Sequence, residues 1–417
     1  MIEARRTDSA NKNLKHKMNL EEISKKIVNC IKPSLIVEYC YGIFRYRITG
    51  STLSSIDRKM KIFGIIITLI FIASVIFLGI VPKMIFIIQN KINMGKFMRE
   101  LPWVVCSIHY AVYNLLILRQ SENNLKILES LANIDINLHA SMNRDYYQTS
   151  QKECKKLFTG FFLFCILMTT TVYVSEEEIN FSFIPYLFLY FERKIGIVVL
   201  CEFLHLLRHR MLLINNYLKK FMAIQKQHTS YKSLLKKEME GNINFIGTVS
   251  VTNNKISDLA NVYKNVGDVS NIINNVFNFF ITTSIISTFV FIISFFWASL
   301  NYMKFTEVEK TALTMIKIVT WSFVELFSVY IISYYCEKNL EVKNEIVMIL
   351  NKIVIDDKLP KRMKRQAKVF MEITDIWPMS IQAYNMFVIN KNLILKFVGI
   401  CTSYLIVVIQ VDEFVQD

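Results

Sequence analysis

The chain is predicted to be an all-α membrane protein with seven transmembrane helices, a cytosolic N-terminus, an extracellular C-terminus and cytosolic extensions of helices four to seven. Three observations carry that reading. Of 417 residues, 53% are hydrophobic, at a mean hydropathy of +0.33. Only 11 Gly and 6 Pro occur, so the chain is neither collagen-like nor disordered. The apolar residues come in long blocks with charge gathered between them, whereas a soluble chain of this length divides into domains joined by polar linkers. The formal charge of +15 fits basic loops facing an anionic inner leaflet, and with so apolar a chain it does not point to nucleic acid.

A membrane-spanning helix needs about 20 mainly apolar residues, because lipid leaves backbone polar groups no partner outside the helix. Residues 61–81 form the first such block, with Lys61 its only charge. The second, 102–118, is short and contains His109; Pro102 at its start suits a first helical turn. Blocks 157–174 and 183–207 follow, separated by the polar run SEEEINFS, and the fourth carries Glu192, Arg193, Lys194, Glu202 and His205. The fifth and sixth, 276–299 and 314–335, are aromatic-rich, and 393–413 supplies the seventh.

Seven spans put the termini on opposite sides. With the N-terminus inside, the segments 1–60, 119–156, 208–275 and 336–392 hold 38 Lys and Arg against 22 Asp and Glu, while the opposite segments hold 6 against 7. That asymmetry favours the orientation. The one Asn-x-Ser/Thr site, Asn180, then falls in an outer loop as a glycosylation candidate. None of the 8 Cys lies in an outer loop, so no extracellular disulfide framework is expected. The first 60 residues lack an apolar signal region, and residues 34–48 mix apolar and basic side chains like an amphipathic helix at the inner surface. The expected layout is thus a cytosolic 1–60 with that helix, helices one to four over 61–207, a helical extension over 208–275, helices five and six over 276–335, a cytosolic anchor segment over 336–392, and a pore-lining helix over 393–413.

Catalytic signatures are missing: there is no GxGxxG, Walker loop, HExxH, CxxC or GxSxG. His205 and His209 share a helix face and could pair on a metal, but basic groups at the cytosolic end of a helix more often serve its dipole. No enzyme, metal or cofactor is expected. Within the spans, Glu192 and Glu325 fall near mid-membrane at 1.5 Å per residue, with Arg193 and Lys194 as natural partners. Lys317 and Lys396 lie near helix ends and can snorkel. A G-protein-coupled receptor is the alternative from another class, but none of the prolines follows an Asn, and its N-terminus would lie outside. A transporter would show a repeat or Gly/Pro-broken helices.

The C-terminus narrows the choice. Ser403-Tyr404-Leu405-Ile406-Val407-Val408-Ile409-Gln410-Val411 resembles the signature of the insect gustatory receptor family, Thr-Tyr, five apolar residues, then Gln-Phe, with Ser403 for Thr and Val411 for Phe. Upstream, Asn385-Met386-Phe387-Val388-Ile389-Asn390 is similar to the family's Gly-x-Phe-x-x-Asp/Asn, with Asn385 for Gly. The resemblance implies a ligand-gated, nonselective cation channel of chemosensory neurons, a homotetramer or a heterotetramer with related subunits, whose seventh helices surround one pore. Its partners would be a small-molecule tastant and membrane lipids. The main sugar-receptor branch tends to carry Glu after the motif Tyr; Leu405 stands here, so bitter plant compounds are the leading ligand class, with a fructose or other nutrient sensor as the alternative.

Two sets of site residues follow. Val407 and Gln410, three apart on one helix face, would give an apolar and a carboxamide ring in a tetramer, with Asp412 and Glu413 just outside to favour cations; Tyr404 and Val411 complete the pore set. The resemblance places the ligand in the outer half of spans two to six. The residues there are His109 and Tyr113 of span two, Thr169, Thr170 and Tyr173 of span three, Tyr186 and Tyr190 of span four, Phe295 of span five and Trp321 of span six. Aromatic walls with a few hydroxyl and imidazole groups suit a mostly apolar ligand bearing some polar atoms.

Overall fold

The structure is a computed structural model and describes residues 2–49, 52–80, 94–140, 145–175, 184–228, 245–305 without 248 and 251, and 308–416. Ten helices carry the fold among these residues. α1 (Ile2–Cys40) leads into a short hairpin, β1 (Arg47–Thr49) and β2 (Thr52–Ser54). α2 (Arg58–Ser74) continues as a π-helical segment, Val75–Ile80. α3 (Met94–Arg119) and α4 (Ser121–Asn137) follow, then α5 (Tyr146–Ser175), α6 (Ile184–His228), α7 (Lys255–Phe305) and α8 (Val308–Ile355). α9 (Lys361–Ile376), the hairpin β3 (Gln382–Ala383) and β4 (Phe387–Val388), and α10 (Asn392–Gln416) complete the chain.

The seven expected spans map onto α2, α3, α5, α6, α7, α8 and α10. Among the described residues, Arg58–Phe77, Glu100–Arg119, Lys255–Ser299 and Ile318–Ile355 are by themselves long and apolar enough to cross a membrane, and Asn392–Val407 is a shorter apolar stretch. α6 is outside that set because Glu192, Arg193, Lys194 and Glu202 interrupt it, all of them buried within the protein. α6, α7 and α8 run past their spans as unbroken rods of 45, 51 and 48 residues, which forms the cytosolic layer foreseen for helices four to six. Before the seventh span the chain is instead divided into α9 and a hairpin.

Two local expectations change. Residues 34–48 are not one helix at the membrane surface: α1 ends at Cys40, Gly42 turns the chain at φ 77°, and Ile43, Phe44, Arg45 and Tyr46 run extended in the interior. Their mixed composition has another cause. Arg45 makes a buried fork on Glu38 (Nε to Oε2 2.7 Å, Nη2 to Oε1 2.8 Å), also donates to Tyr113 Oη at 2.5 Å, and stacks over Phe277. The second change is Pro102, which lies inside α3 rather than in its first turn. The polar residues before it add helical turns above the span, and the one lost backbone bond is tolerated because the helix is held by packing.

The hairpin before α10 accounts for the Asn at the position where the resembled pattern has Gly. Tyr384 and Asn385 sit at φ 47° and 58°, the left-handed pair of a tight hairpin turn, and Asn tolerates that region better than most side chains. Asn274 and Asn278 of α7 accept backbone N–H bonds from Gln382 (2.9 Å) and Tyr384 (2.5 Å), pinning the hairpin to α7. Lys391 donates to Glu341 of α8 at 2.7 Å, and Lys219 and Asn215 of α6 both donate to Glu345 at 2.7 Å. A hydrogen bond from Lys338 (2.6 Å) and then that from Lys391 hold the Glu341 carboxyl below the usual carboxylate range, and those from Lys219 and Asn215 do the same for Glu345.

The transmembrane layer is tied together by one ion cluster. Arg193 of α6 donates to both oxygens of Glu325 on α8 (2.7 and 2.8 Å), and Lys194 donates to Glu325 (2.9 Å) and Ser328 (2.6 Å). Thr288 of α7 donates to the same carboxylate at 2.9 Å. Gly196 allows the approach of α6 and α7, since a Cβ there would lie 2.5 Å from the Phe280 ring. Glu192, expected to share these cations, does not: neither of its oxygens has a protein hydrogen-bond partner. Successive helical residues point about 100° apart, so it faces away from Glu325.

Two outcomes are expected. A tag at the N-terminus should be labelled only after cells are permeabilised and a tag after Asp417 on intact cells; labelling of the N-terminal tag on intact cells would reverse the orientation. Glu325→Gln leaves two buried cations underpaired and should cost about 3–5 kcal/mol, read as lost surface delivery and a lower unfolding temperature. Glu345→Gln, at an exposed pair, should cost no more than about 1 kcal/mol.

Candidate functional site

The outer half of the bundle holds an aromatic cluster separate from the main core. Tyr186, Tyr190, Phe291, Trp321, Val324, Cys106 and Tyr110 are buried in it, with Trp103 and Phe295 packed alongside. The rings meet in a chain: Trp103 lies 4.8 Å from Tyr186 and 5.4 Å from Phe291, Tyr190 lies 4.8 Å from Trp321, and Trp321 lies 6.1 Å from Phe295. Four of the expected ligand residues, Tyr186, Tyr190, Phe295 and Trp321, are thereby brought together. Helical spacing does this: 186/190 and 291/295 are four apart, and 103/106/110 recur at three and four, so each set shares a face.

The floor of this cluster is the ion cluster. The Lys194 ammonium sits 4.8 Å from the Tyr190 ring centre, and the Arg193 guanidinium 5.2 Å from that of Phe291 and 5.7 Å from that of Tyr190. Aromatic faces are laid against both cations. The cluster offers apolar walls, the Tyr186 and Tyr190 hydroxyls, and the ion cluster beneath them.

His109 and Tyr113 form a second, deeper tier. Their rings are 5.5 Å apart, Phe280 packs against both, and His109 Nδ1 is 2.6 Å from the Thr283 hydroxyl. Tyr113 belongs to the main core and is engaged by Arg45. Thr169 and Thr170 lie elsewhere: both are exposed on α5, and their hydroxyls bond to carbonyls of their own helix, those of Cys165 and Leu167. Depth along a span was readable from the sequence, but the rotational phase of α5 was not. The side chain of Tyr173 lies outside the described residues, as does Asn180. Sequence reasoning passed over Cys106, Tyr110 and Phe291, which the same i, i+3/i+4 spacing marks.

On α10, Phe397 and Cys401 pack against Ile292 of α7, and Tyr404 meets the Phe289 ring edge at 5.3 Å. Most of the described remainder of the helix is exposed in the protomer, with Leu393, Ile394, Leu405 and Ile409 half-buried. Tyr404 and Val407 are 56% and 52% exposed, and Gln410 is exposed with them. The side chains of Val411, Asp412 and Glu413 lie outside the described residues. His205 and His209 lie with ring centres 4.4 Å apart and planes tilted by 56°, but among the described residues no group of three or more His, Cys, Asp or Glu could hold a metal ion.

Comparison with known proteins agrees with this architecture. The chain is similar in structure to the olfactory receptor OR5 of the insect Machilis hrabei, in two solved structures at 12% identity, one of them in complex with eugenol. That complex has a TM-score of 0.59 and the second structure 0.60; in each, 91% of this chain matches 97% of the other. At that identity the likeness concerns the fold. No curated protein matches in sequence. Residues 31–414 match the family model described as 7tm chemosensory receptor. The chain is therefore a multi-pass membrane protein belonging to the 7tm chemosensory receptor family, a family of receptors and not of enzymes.

Proposed function

We propose that the chain is a gustatory receptor that works as a ligand-gated, nonselective cation channel of chemosensory neurons, tuned to bitter plant compounds. The observation that carries this reading is the separation of two features on one scaffold: a closed aromatic cluster in the outer half of the bundle, and a seventh helix whose motif face is uncovered in the protomer. The gustatory assignment rests on the resemblance of residues 403–411 and 385–390 to that family's signature, and the ligand class on Leu405 where the sugar branch tends to carry Glu.

In this reading four copies of α10 surround the pore. Tyr404, Val407, Gln410 and Val411 line it, and Asp412 and Glu413 form its outer mouth. A ring of Val407 closes the pore by dewetting, and a ring of Gln410 carboxamides replaces part of an ion's hydration. The ligand inserts among Tyr186, Tyr190, Phe295 and Trp321, above His109 and Tyr113. Because α7 carries Phe291 and Phe295 on the ligand side and Phe289 and Ile292 against α10, a ligand that separates the aromatic rings acts on α10 through a single helix. It opens the pore to the extent that it binds the open arrangement better than the closed one.

Val407→Ser is expected to give ligand-independent current and Gln410→Ala to change relative cation permeability, measured in cells expressing this chain alone or with a related subunit. Normal gating and permeability in both would place the pore elsewhere. Against a panel of plant alkaloids and sugars, an identified agonist should lose potency by about tenfold or more on Tyr186→Ala or Trp321→Ala, since each removes an aromatic wall worth about 1.5–3 kcal/mol. Unchanged concentration responses in both, with normal surface delivery, would remove the ligand from this cluster. A response only to sugars would favour the nutrient-sensor reading.

A further inference from the structure

A cavity lies on the opposite, inner side of the ion cluster. It has a volume of about 330 Å³ and runs between α5, α6 and α8, lined by residues that include Phe161, Phe164, Ile197, Cys201, Phe327 and Tyr335. α5 and α8 both pack on α6 but scarcely on each other, so the cavity is a groove rather than a sealed void. Its length follows from helix rise: the lining residues of α5 extend from Glu153 to Phe164, about 16 Å along the axis. One end lies at the inner limit of the span. The other reaches mid-membrane, where the stem of Lys194 lines the wall while its ammonium is held by Glu325 and Ser328.

The surroundings identify the occupant. The flanking surfaces are apolar and uncovered, with Phe162 57%, Leu163 61% and Phe323 67% exposed, so the groove opens to lipid chains rather than to water. Its inner end is basic. Lys152, Lys155 and Lys156, all exposed, stand within about one turn of α5 against the single carboxylate of Glu153. Lys156 lines the groove itself and pairs with Glu153 at 2.7 Å; a pair this exposed is weak and exchanges readily for another anion. An apolar slot about one acyl chain wide, entered at the inner surface beneath a lysine cluster, matches an anionic lipid with its phosphate at the interface and one tail in the groove. Gly160 lies midway along the floor, where an added Cβ would meet nothing within 4 Å.

We propose that the groove between α5, α6 and α8 binds one acyl chain of an anionic inner-leaflet phospholipid, of the phosphatidylserine class, with its headgroup over Lys152, Lys155 and Lys156. The bound chain stands against α6 and α8 directly beneath the cations that floor the aromatic cluster, so it braces the helices on which that cluster is built. The site requires the membrane placement of α5 and does not depend on channel activity.

The test uses the full-length protein in phosphatidylcholine nanodiscs containing phosphatidylserine with a photoreactive group in one acyl chain, followed by peptide mapping. Labelling should concentrate on Phe161 and Phe327 and their neighbours, and unlabelled phosphatidylserine should compete where phosphatidylcholine does not. Lys156→Glu should lower the labelling about fivefold or more, given about 1 kcal/mol for each basic residue near the headgroup. Gly160→Leu, which adds a side chain to the groove floor, should abolish groove labelling while leaving the unfolding temperature unchanged. The proposal fails if labelling spreads evenly over α2 and α5, or if phosphatidylcholine competes equally. It also fails if Gly160→Leu is labelled like the parent, or if an apolar small molecule displaces the probe and phosphatidylserine does not.

Discussion

Two adjacent cations on α6 share one carboxylate on α8, deep in the transmembrane layer, and most of the membrane architecture is arranged around that arithmetic. A lone charge in hydrocarbon is expensive, and an underpaired one is worse than none. Once Arg193 and Lys194 are present, Glu325 must meet them, and the meeting fixes the rotation of α6 against α8. Thr288 joins the same carboxylate and brings α7 into register. The aromatic cluster inherits its position from this contact, because Tyr190 precedes Arg193 by three residues and Trp321 precedes Glu325 by four. Each ring lies one turn above the charge that orients its helix.

Two further buried ion pairs repeat the principle nearer the cytosol. Glu38 and Arg45 knit the end of α1 and the chain after it to Tyr113 of α3 and Asn124 of α4. Asp135 of α4 accepts from Arg210 of α6 at 2.6 Å and from the Tyr147 hydroxyl of α5 at 3.0 Å. Each joins segments that are distant in sequence, and each is buried in the main core against aromatic rings. Such pairs add little net stability over a hydrophobic core, but they penalise every register in which the partners do not meet. For long, uniformly apolar helices, which slide past one another at little cost, that penalty selects one alignment.

Much of this was legible in the sequence. Apolar runs located the spans, and Glu192 and Glu325 both stood out near mid-membrane with Arg193 and Lys194 as natural partners. The limits also have physical causes. Glu192 has the same depth and charge as Glu325, yet only rotational phase separates the partnered acid from the unpartnered one. Thr169 and Thr170 were misplaced for the same reason, since depth counts residues whereas facing depends on the packing of α5. Residues 34–48 read as a surface helix because apolar and basic residues mix there; the partner of Arg45, Glu38, lies seven residues earlier, about 10 Å away along a continuous helix, and the turn at Gly42 is what brings the two together. Asn385 was recognised as a departure from a glycine pattern, and its left-handed backbone explains why Asn was an acceptable substitute.

The narrow seat of α10 has an energetic consequence. Within its protomer the helix buries Phe397 and Cys401 and lays Tyr404 against one ring, a handful of side chains each worth about 1.5–3 kcal/mol when fully buried. Shifting a two-state equilibrium from almost wholly one state to almost wholly the other takes about 5.5 kcal/mol of differential affinity. Those two quantities are of the same order. In the proposed reading the last helix is thus held firmly enough to have a resting position and loosely enough that one small molecule, bound at a distance, commands sufficient free energy to move it.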